Sequence, residues 1–307
     1  MFERRDFLMA AGAAVVASGA MSRSRAEEVP LPVAKKNGIA LALGGGAAKG
    51  FAHIPYLECL DEMGVRPAQL AGTSMGGIMA ALYAAGMSGR EIRESTLELF
   101  DEKEPLLRKL LLNGTNTWAS LFNLMRPAVI DPQVLFEAVL PPVLPEMFSG
   151  LSIPLRVVAT DFYRQSQAVL ESGALLPAIS ASAALPVLLT PVVIGDKVLI
   201  DGGFVNPTPF DVLDSERYVT VGIDVTGSLP RDGTDIPGSL ETWAGSFSIT
   251  QRSIVLEKLK CGGPDLYVAP PVGQFATMDF FDVKAILTAA DTGRDAFKHK
   301  VAALLEL

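Results

Sequence analysis

The chain has 307 residues, 49% of them hydrophobic and 20% charged, and a formal net charge of −8. Such a length and apolar content supply a large buried core, which excludes a disordered chain. The acidic balance lacks the basic footprint of nucleic-acid binding, which excludes DNA and RNA as partners.

In chain order, residues 1–26 come first and read as an export signal. Arg4 and Arg5 precede an apolar run from Phe7 to Met21, and Ala26 offers a small residue before a cut. The run is 15 residues long, short of the roughly 20 that cross a bilayer. The pattern resembles a twin-arginine signal, so a periplasmic protein is expected, with a tether through an uncleaved N-terminus as the alternative. Removing the segment takes away four basic and two acidic residues and leaves a net charge of −10. Residues 27–37, polar and proline-containing, read as a linker, and 38–307 as one domain.

Gly38 to Leu43 reads as a buried strand, and Phe51 to Met63 has helical spacing through Ile54, Leu57 and Leu60, ended by Gly64. A second strand follows at about Ala68 to Ala71, then a helix rich in small residues that Gly86 closes. Ser88 and Glu91 stand at capping-box spacing and start another helix. Strand, helix, strand, helix predicts a βαβ unit with parallel strands, whose loops then share one edge of the sheet. About 105–150 the chain is apolar yet broken by prolines, and is expected to form a helical cap or a lid. Further strands are expected at "PLRVVATDF" and "YVTVGIDV", and a hairpin at "TPVVIGDKVLID" with Gly195 and Asp196 in its turn. A helix from about Leu240 to Lys260, a last strand "DLYVA" and a C-terminal helix from about Val283 to Leu305 complete the reading. The fold class is α/β, with a mostly parallel central sheet sandwiched by helices. Cys59 and Cys261 fit no metal-type spacing and read as small buried apolar residues.

The turn after the second strand spells Gly72-Thr73-Ser74-Met75-Gly76, the G-x-S-x-G pattern of a nucleophile elbow, in which a tight strand-to-helix bend projects the serine. The loop after the first strand, "GGGAAKG" from Gly44 to Gly50, fails as a P-loop because Lys49 is followed by Gly50 rather than Ser or Thr. Beside Ser74 it suits an oxyanion hole, in which bare N–H groups face a tetrahedral intermediate. A serine nucleophile needs a base. His299 lies on a basic helix face, and His53 in a helix whose spacing buries it. The remaining candidates are carboxylates at strand ends: Asp201, followed by Gly202 and Gly203, and Asp161, which reads better as a loop cap.

These pieces, with "ASAALP" at Ala181 to Pro186, occur in the order found in the bacterial patatin-like phospholipases, which the chain resembles from about Gly38 to Pro209. The resemblance implies a Ser-Asp dyad, with Ser74 as nucleophile and Asp201 as base, no metal or other cofactor, and hydrolysis of lipid acyl esters with transient contact at a membrane surface. Ala47 stands where many members carry glycine; Gly45, Gly46 and Ala47 are the expected oxyanion-hole donors, and Lys49 is expected to hold the loop or reach the substrate. Two alternatives stay open: an esterase of small esters or monoacylglycerols, and a periplasmic lipid-binding protein without catalysis.

Overall fold

A computed structural model describes residues 38–102, 130–227, 229 and 236–306. The export signal, the linker and residues 105–129 of the expected cap lie outside the described residues. An eight-stranded sheet forms the centre, in the order β5-β6-β3-β2-β1-β7-β8 with β4 beside β3. Its strands are β1 (Ile39–Leu43), β2 (Gln69–Thr73), β3 (Leu155–Asp161), β4 (Ser166–Leu170), β5 (Val192–Ile194), β6 (Lys197–Asp201), β7 (Val219–Ile223) and β8 (Leu266–Val268). β1, β2, β3, β7 and β8 run parallel, while β4 and β6 each pair antiparallel with β3.

The described helices are α1 (Ile54–Glu62), α2 (Met75–Ala84), α3 (Gly89–Glu102), α4 (Pro132–Val139), α5 (Leu175–Ser182), α6 (Ser239–Cys261), α7 (Val283–Asp291) and α8 (Arg294–Leu305). β1 shows why both faces of the sheet are covered. Ile39, Leu41 and Leu43 point into the large core with residues of α1, α2, α3, α7 and α8, whereas Ala40 and Ala42 meet Phe210, Leu213 and Leu259 of α6 on the other face. The expected capping box is formed: Glu91 N–H donates to Ser88 Oγ at 3.2 Å, and Ser88 N–H to Glu91 Oε2 at 2.7 Å.

Three expectations are corrected. The C-terminal helix is two, α7 and α8, because the chain turns at Thr292-Gly293, where the Thr292 hydroxyl bonds to the Ala289 carbonyl at 2.7 Å and a side chain on Gly293 would strike the Tyr56 hydroxyl. The turn seats Phe297 of α8 edge-on against Tyr56, with ring centroids 5.1 Å apart. β3 is followed by an unexpected hairpin partner, β4. Cys59 is buried, but Cys261, the last residue of α6, is exposed.

Candidate active site

β3 brings the two candidate catalytic residues together. β2 climbs parallel to β3 and ends with Thr73 opposite Val158, while β6 descends antiparallel and ends with Asp201 opposite Ala159. β4 occupies the other edge of β3 at both positions, so β2 and β6 share a single edge and meet end to end. The residue after Thr73 is Ser74, and its Oγ donates to Asp201 Oδ2 at 2.7 Å.

Local sequence makes this meeting possible. Ser74 holds φ 53° and ψ −126°, left-handed backbone that a non-glycine residue adopts only at a cost of order 1–3 kcal/mol. Gly76 lies so close to β1 that a Cβ would stand 2.2 Å from the Leu43 carbonyl oxygen, and one on Gly202 would stand 2.1 Å from that of Val158. Gly72 packs against Gly77, and Gly50 against the Met75 side chain.

Asp201 is 1% exposed. Its Oδ1 accepts the Gly203 N–H at 2.7 Å, so both oxygens are engaged. Burial pushes its carboxyl up to about 6, against the opposing pull of the Ser74 and Gly203 hydrogen bonds. The result is a carboxylate ionised at neutral pH yet more basic than an exposed one.

The backbone of both residues is held by "ASAALP", whose task the sequence did not disclose. Ser182 Oγ accepts the Ser74 N–H at 2.8 Å and donates to the Val158 carbonyl at 2.5 Å; the Ala184 carbonyl accepts the Asp201 N–H at 3.0 Å. Thr160 Oγ1 donates to the Asp201 carbonyl at 2.7 Å, and Thr73 Oγ1 to that of Asn206 at 2.8 Å. These contacts join segments more than a hundred residues apart in the first case, so no local pattern announces them.

The glycine loop lies against the elbow: a Cβ on Gly45 would stand 3.2 Å from Ser74 Cβ. One expected donor is corrected. Gly45 N–H is donated to the Pro207 carbonyl at 2.8 Å, as Gly44 N–H is to Ile223 at 2.9 Å, so neither faces a reacting group. The N–H groups of Gly46 and Ala47 make no hydrogen bond among the described residues. Ala47 holds φ 47° despite its methyl group, and begins a 3-10 turn that runs to His53. Lys49 is buried, and its ammonium donates to the carbonyls of Thr226 at 3.2 Å and Gly227 at 3.1 Å, which ties the loop to the chain beyond β7. Burial lowers its pKa to about 8, with the Asp224 charge acting the other way.

The other candidate bases are occupied elsewhere. His53 is fully buried with Nε2 2.7 Å from the Gly44 carbonyl, and burial lowers its pKa to about 4. It is a neutral imidazole whose Nε2–H braces the glycine loop. Asp161 accepts from Arg164 N–H at 3.1 Å and Arg164 Nη1 at 2.9 Å, closing the β3–β4 turn. Those contacts hold its carboxyl below the usual range. His299 is exposed on α8.

A cavity of about 190 Å³ opens beside Ser74. Its walls are apolar: α2, α3, α4 and the segment from Ala183 to Leu189, with Leu135, Phe136, Val139 and Leu140 contributed from the described part of the expected cap. A buried carboxylate and an apolar cavity thus meet at the Ser74 hydroxyl, and the loop that carries the unbonded Gly46 and Ala47 amides lies against the same elbow.

A family model described as "Patatin-like phospholipase" matches residues 41–214. An uncharacterized NTE family protein of Mycobacterium bovis is 29% identical over 191 residues, covering 62% of this chain and 49% of that protein. Patatin-like phospholipase domain-containing protein 6 of Homo sapiens is 29% identical over 273 residues, covering 80% of this chain and 19% of that protein. The chain thus spans about half the length of the mycobacterial relative and about a fifth of the human one. Among solved structures, VipD from Legionella pneumophila aligns with a TM-score of 0.46 at 14% identity, over 87% of this chain and 67% of that one.

Proposed function

The chain belongs to the patatin-like phospholipase family, whose model spans both Ser74 and Asp201, and we propose that it is a serine acyl hydrolase that cleaves lipid acyl esters through these two residues. The single observation that carries the reading is the 2.7 Å hydrogen bond from Ser74 Oγ to a buried carboxylate. Asp201 accepts the hydroxyl proton as Oγ attacks the ester carbonyl, because an alkoxide formed beforehand would be too costly beside so weak a base. The negative charge moves to the carbonyl oxygen, where the N–H groups of Gly46 and Ala47 receive it, aided by the positive end of α2. Asp201 then returns the proton to the leaving alcohol. In the second half, water gives a proton to Asp201 and attacks the acyl-serine, releasing the fatty acid and restoring the Ser74 hydroxyl.

The acyl chain enters the apolar cavity, and the headgroup remains on the solvent side. Residues 38–307 form the catalytic domain in this reading, and residues 1–26 direct export to the periplasm. A fluorophosphonate probe tests the core claim: it labels the wild type and leaves Ser74→Ala unlabelled. Folded wild type that resists the probe would favour a lipid-binding protein instead. Rates on phospholipid vesicles against soluble short-chain esters separate a phospholipase from an esterase of small esters.

A further inference from the structure

Two helices line the cavity at Ser74 along its length, and each gives a measure of its depth. α2 lines it with Ile78, Met79 and Leu82, and α3 lines it with Phe100, Thr96 and Ile92. The helices are joined by the short connection Ala85–Ser88, in which Met87 N–H donates to the Leu82 carbonyl at 3.3 Å, so they form an αα-hairpin. Leu82 and Ile92, which are 4% and 0% exposed, therefore lie at the hairpin end of the lining, the end farthest along α2 from Ser74. Phe100 stands at the other end of α3, where its ring meets Phe51 of the glycine-loop turn, centroids 5.4 Å apart. From Ser74 to Leu82 the α2 backbone rises about 12 Å, at 1.5 Å per residue, and from Phe100 to Ile92 α3 covers the same distance.

We infer that the cavity gauges chain length, admitting one unbranched acyl chain of about ten carbons whose end abuts Leu82 and Ile92. This rests on the acyl-hydrolase reading and deepens it by naming the substrate class, medium-chain acyl esters. The conversion from depth to carbons uses the reach of an extended chain: peptide backbone advances at most about 3.6 Å over three bonds, so a zigzag of single bonds gains about 1.2 Å per bond. Up to the floor each methylene leaves water for an apolar wall, and beyond it each must remain in the mouth or force the floor apart.

The test measures kcat/KM on p-nitrophenyl esters of saturated acids from four to sixteen carbons, held below their micelle-forming concentrations. In the wild type, kcat/KM is expected to rise about two- to fourfold per methylene up to about ten carbons and then to level or fall. Leu82→Trp raises the floor and lowers the ratio of the twelve-carbon to the six-carbon rate at least about tenfold; Leu82→Ala deepens the cavity and raises that ratio. Should Leu82→Trp fail to fold, Ile92→Phe on the facing helix carries the same expectation. Rates that climb steadily to sixteen carbons, or a length profile that neither position alters, would overturn the gauge while leaving the hydrolase reading intact. Failure of the wild type to turn over any ester would overturn the hydrolase reading. The gauge is then read by calorimetry of saturated fatty acids on Ser74→Ala, where affinity that stops rising near ten carbons supports it and affinity that continues to sixteen overturns it.

Discussion

Thr73 and Asp201 face successive residues on one edge of β3, Val158 opposite the first and Ala159 opposite the second. A single strand thus sets the spacing between the ends of two others, and the hydrogen bond between Ser74 and Asp201 depends on backbone register more than on the two side chains themselves. Gly202 is where that register is tightest, since a Cβ there would fall 2.1 Å from the Val158 carbonyl oxygen. Gly202→Ala is therefore expected to displace Asp201 and lower kcat about 10²-fold, the effect of a misplacement of about 1 Å. Steady-state kinetics on a soluble ester, with circular dichroism to verify folding, checks this.

The pH dependence follows from two of the buried ionisable groups, Asp201 and Lys49. Asp201 must be ionised to act as a base, and its pKa is raised to about 6, so kcat/KM is expected to rise with pH about a midpoint near 6 and to fall tenfold per unit below it. Asp201→Asn removes the base and is expected to cost about 10²- to 10⁴-fold. Asp161→Asn, whose carboxyl only closes a turn with Arg164, should stay within a factor of about three. The reverse ranking of the two variants would transfer the role to Asp161.

Lys49 gives the alkaline side. Its ammonium loses its proton above about 8, and the bonds to Thr226 and Gly227 then lose their charge assistance. The glycine loop is held less firmly, so activity is expected to decline with a midpoint near 8. Lys49→Met is expected to lower the plateau and to abolish the alkaline limb. A wild-type profile flat from pH 7 to 9 would show that the loop keeps its place without the charge.

Ser182 is the strongest expectation that sequence pattern alone did not contain. Its hydroxyl joins the Ser74 N–H to the Val158 carbonyl, fastening the strained elbow to the strand that also fixes Asp201. Ser182→Ala leaves both groups without that partner, and is expected to cost about 1–3 kcal/mol of stability. Chemical denaturation measures that loss. Because Ser74 would turn within its bend, kcat should fall further than KM changes, and the rate of fluorophosphonate labelling should fall with it.

What the sequence disclosed were features whose physics is local. The G-x-S-x-G bend, the capping box of Ser88 and Glu91, and the Gly195-Asp196 turn are each written within six residues, because sterics or a single reach of side chain determines them. Asp201 was identifiable for the same reason, at a strand end with glycines behind it. β4 escaped because its residues, Ser166 to Leu170, are largely exposed, with only Ala168 buried and Leu170 half-buried against the core, too weak a pattern to register as a strand. The use of Gly45 N–H by Pro207, and of Ser182 by Ser74, depends on contacts between segments distant in the chain. Nothing nearby in sequence encodes them.

Ala47 joins these two kinds of information. As a residue it departs from the glycine that similar loops carry, and in the structure it nonetheless holds φ 47°, the left-handed region in which a Cβ crowds the following carbonyl at about 1–2 kcal/mol. The surroundings must therefore hold it there. The next residue, Ala48, donates its N–H to the Thr277 carbonyl at 3.1 Å, and the loop is anchored further on by buried Lys49. Ala47→Gly removes the crowding while giving the unfolded chain more freedom, and the first effect is expected to prevail by about 1 kcal/mol. That corresponds to a rise in melting temperature of roughly 2–4 °C for a domain of this size. An unchanged or lower melting temperature would mean that the methyl group's own packing offsets the strain, and that the loop's shape is fixed by its anchors instead of by freedom at this position.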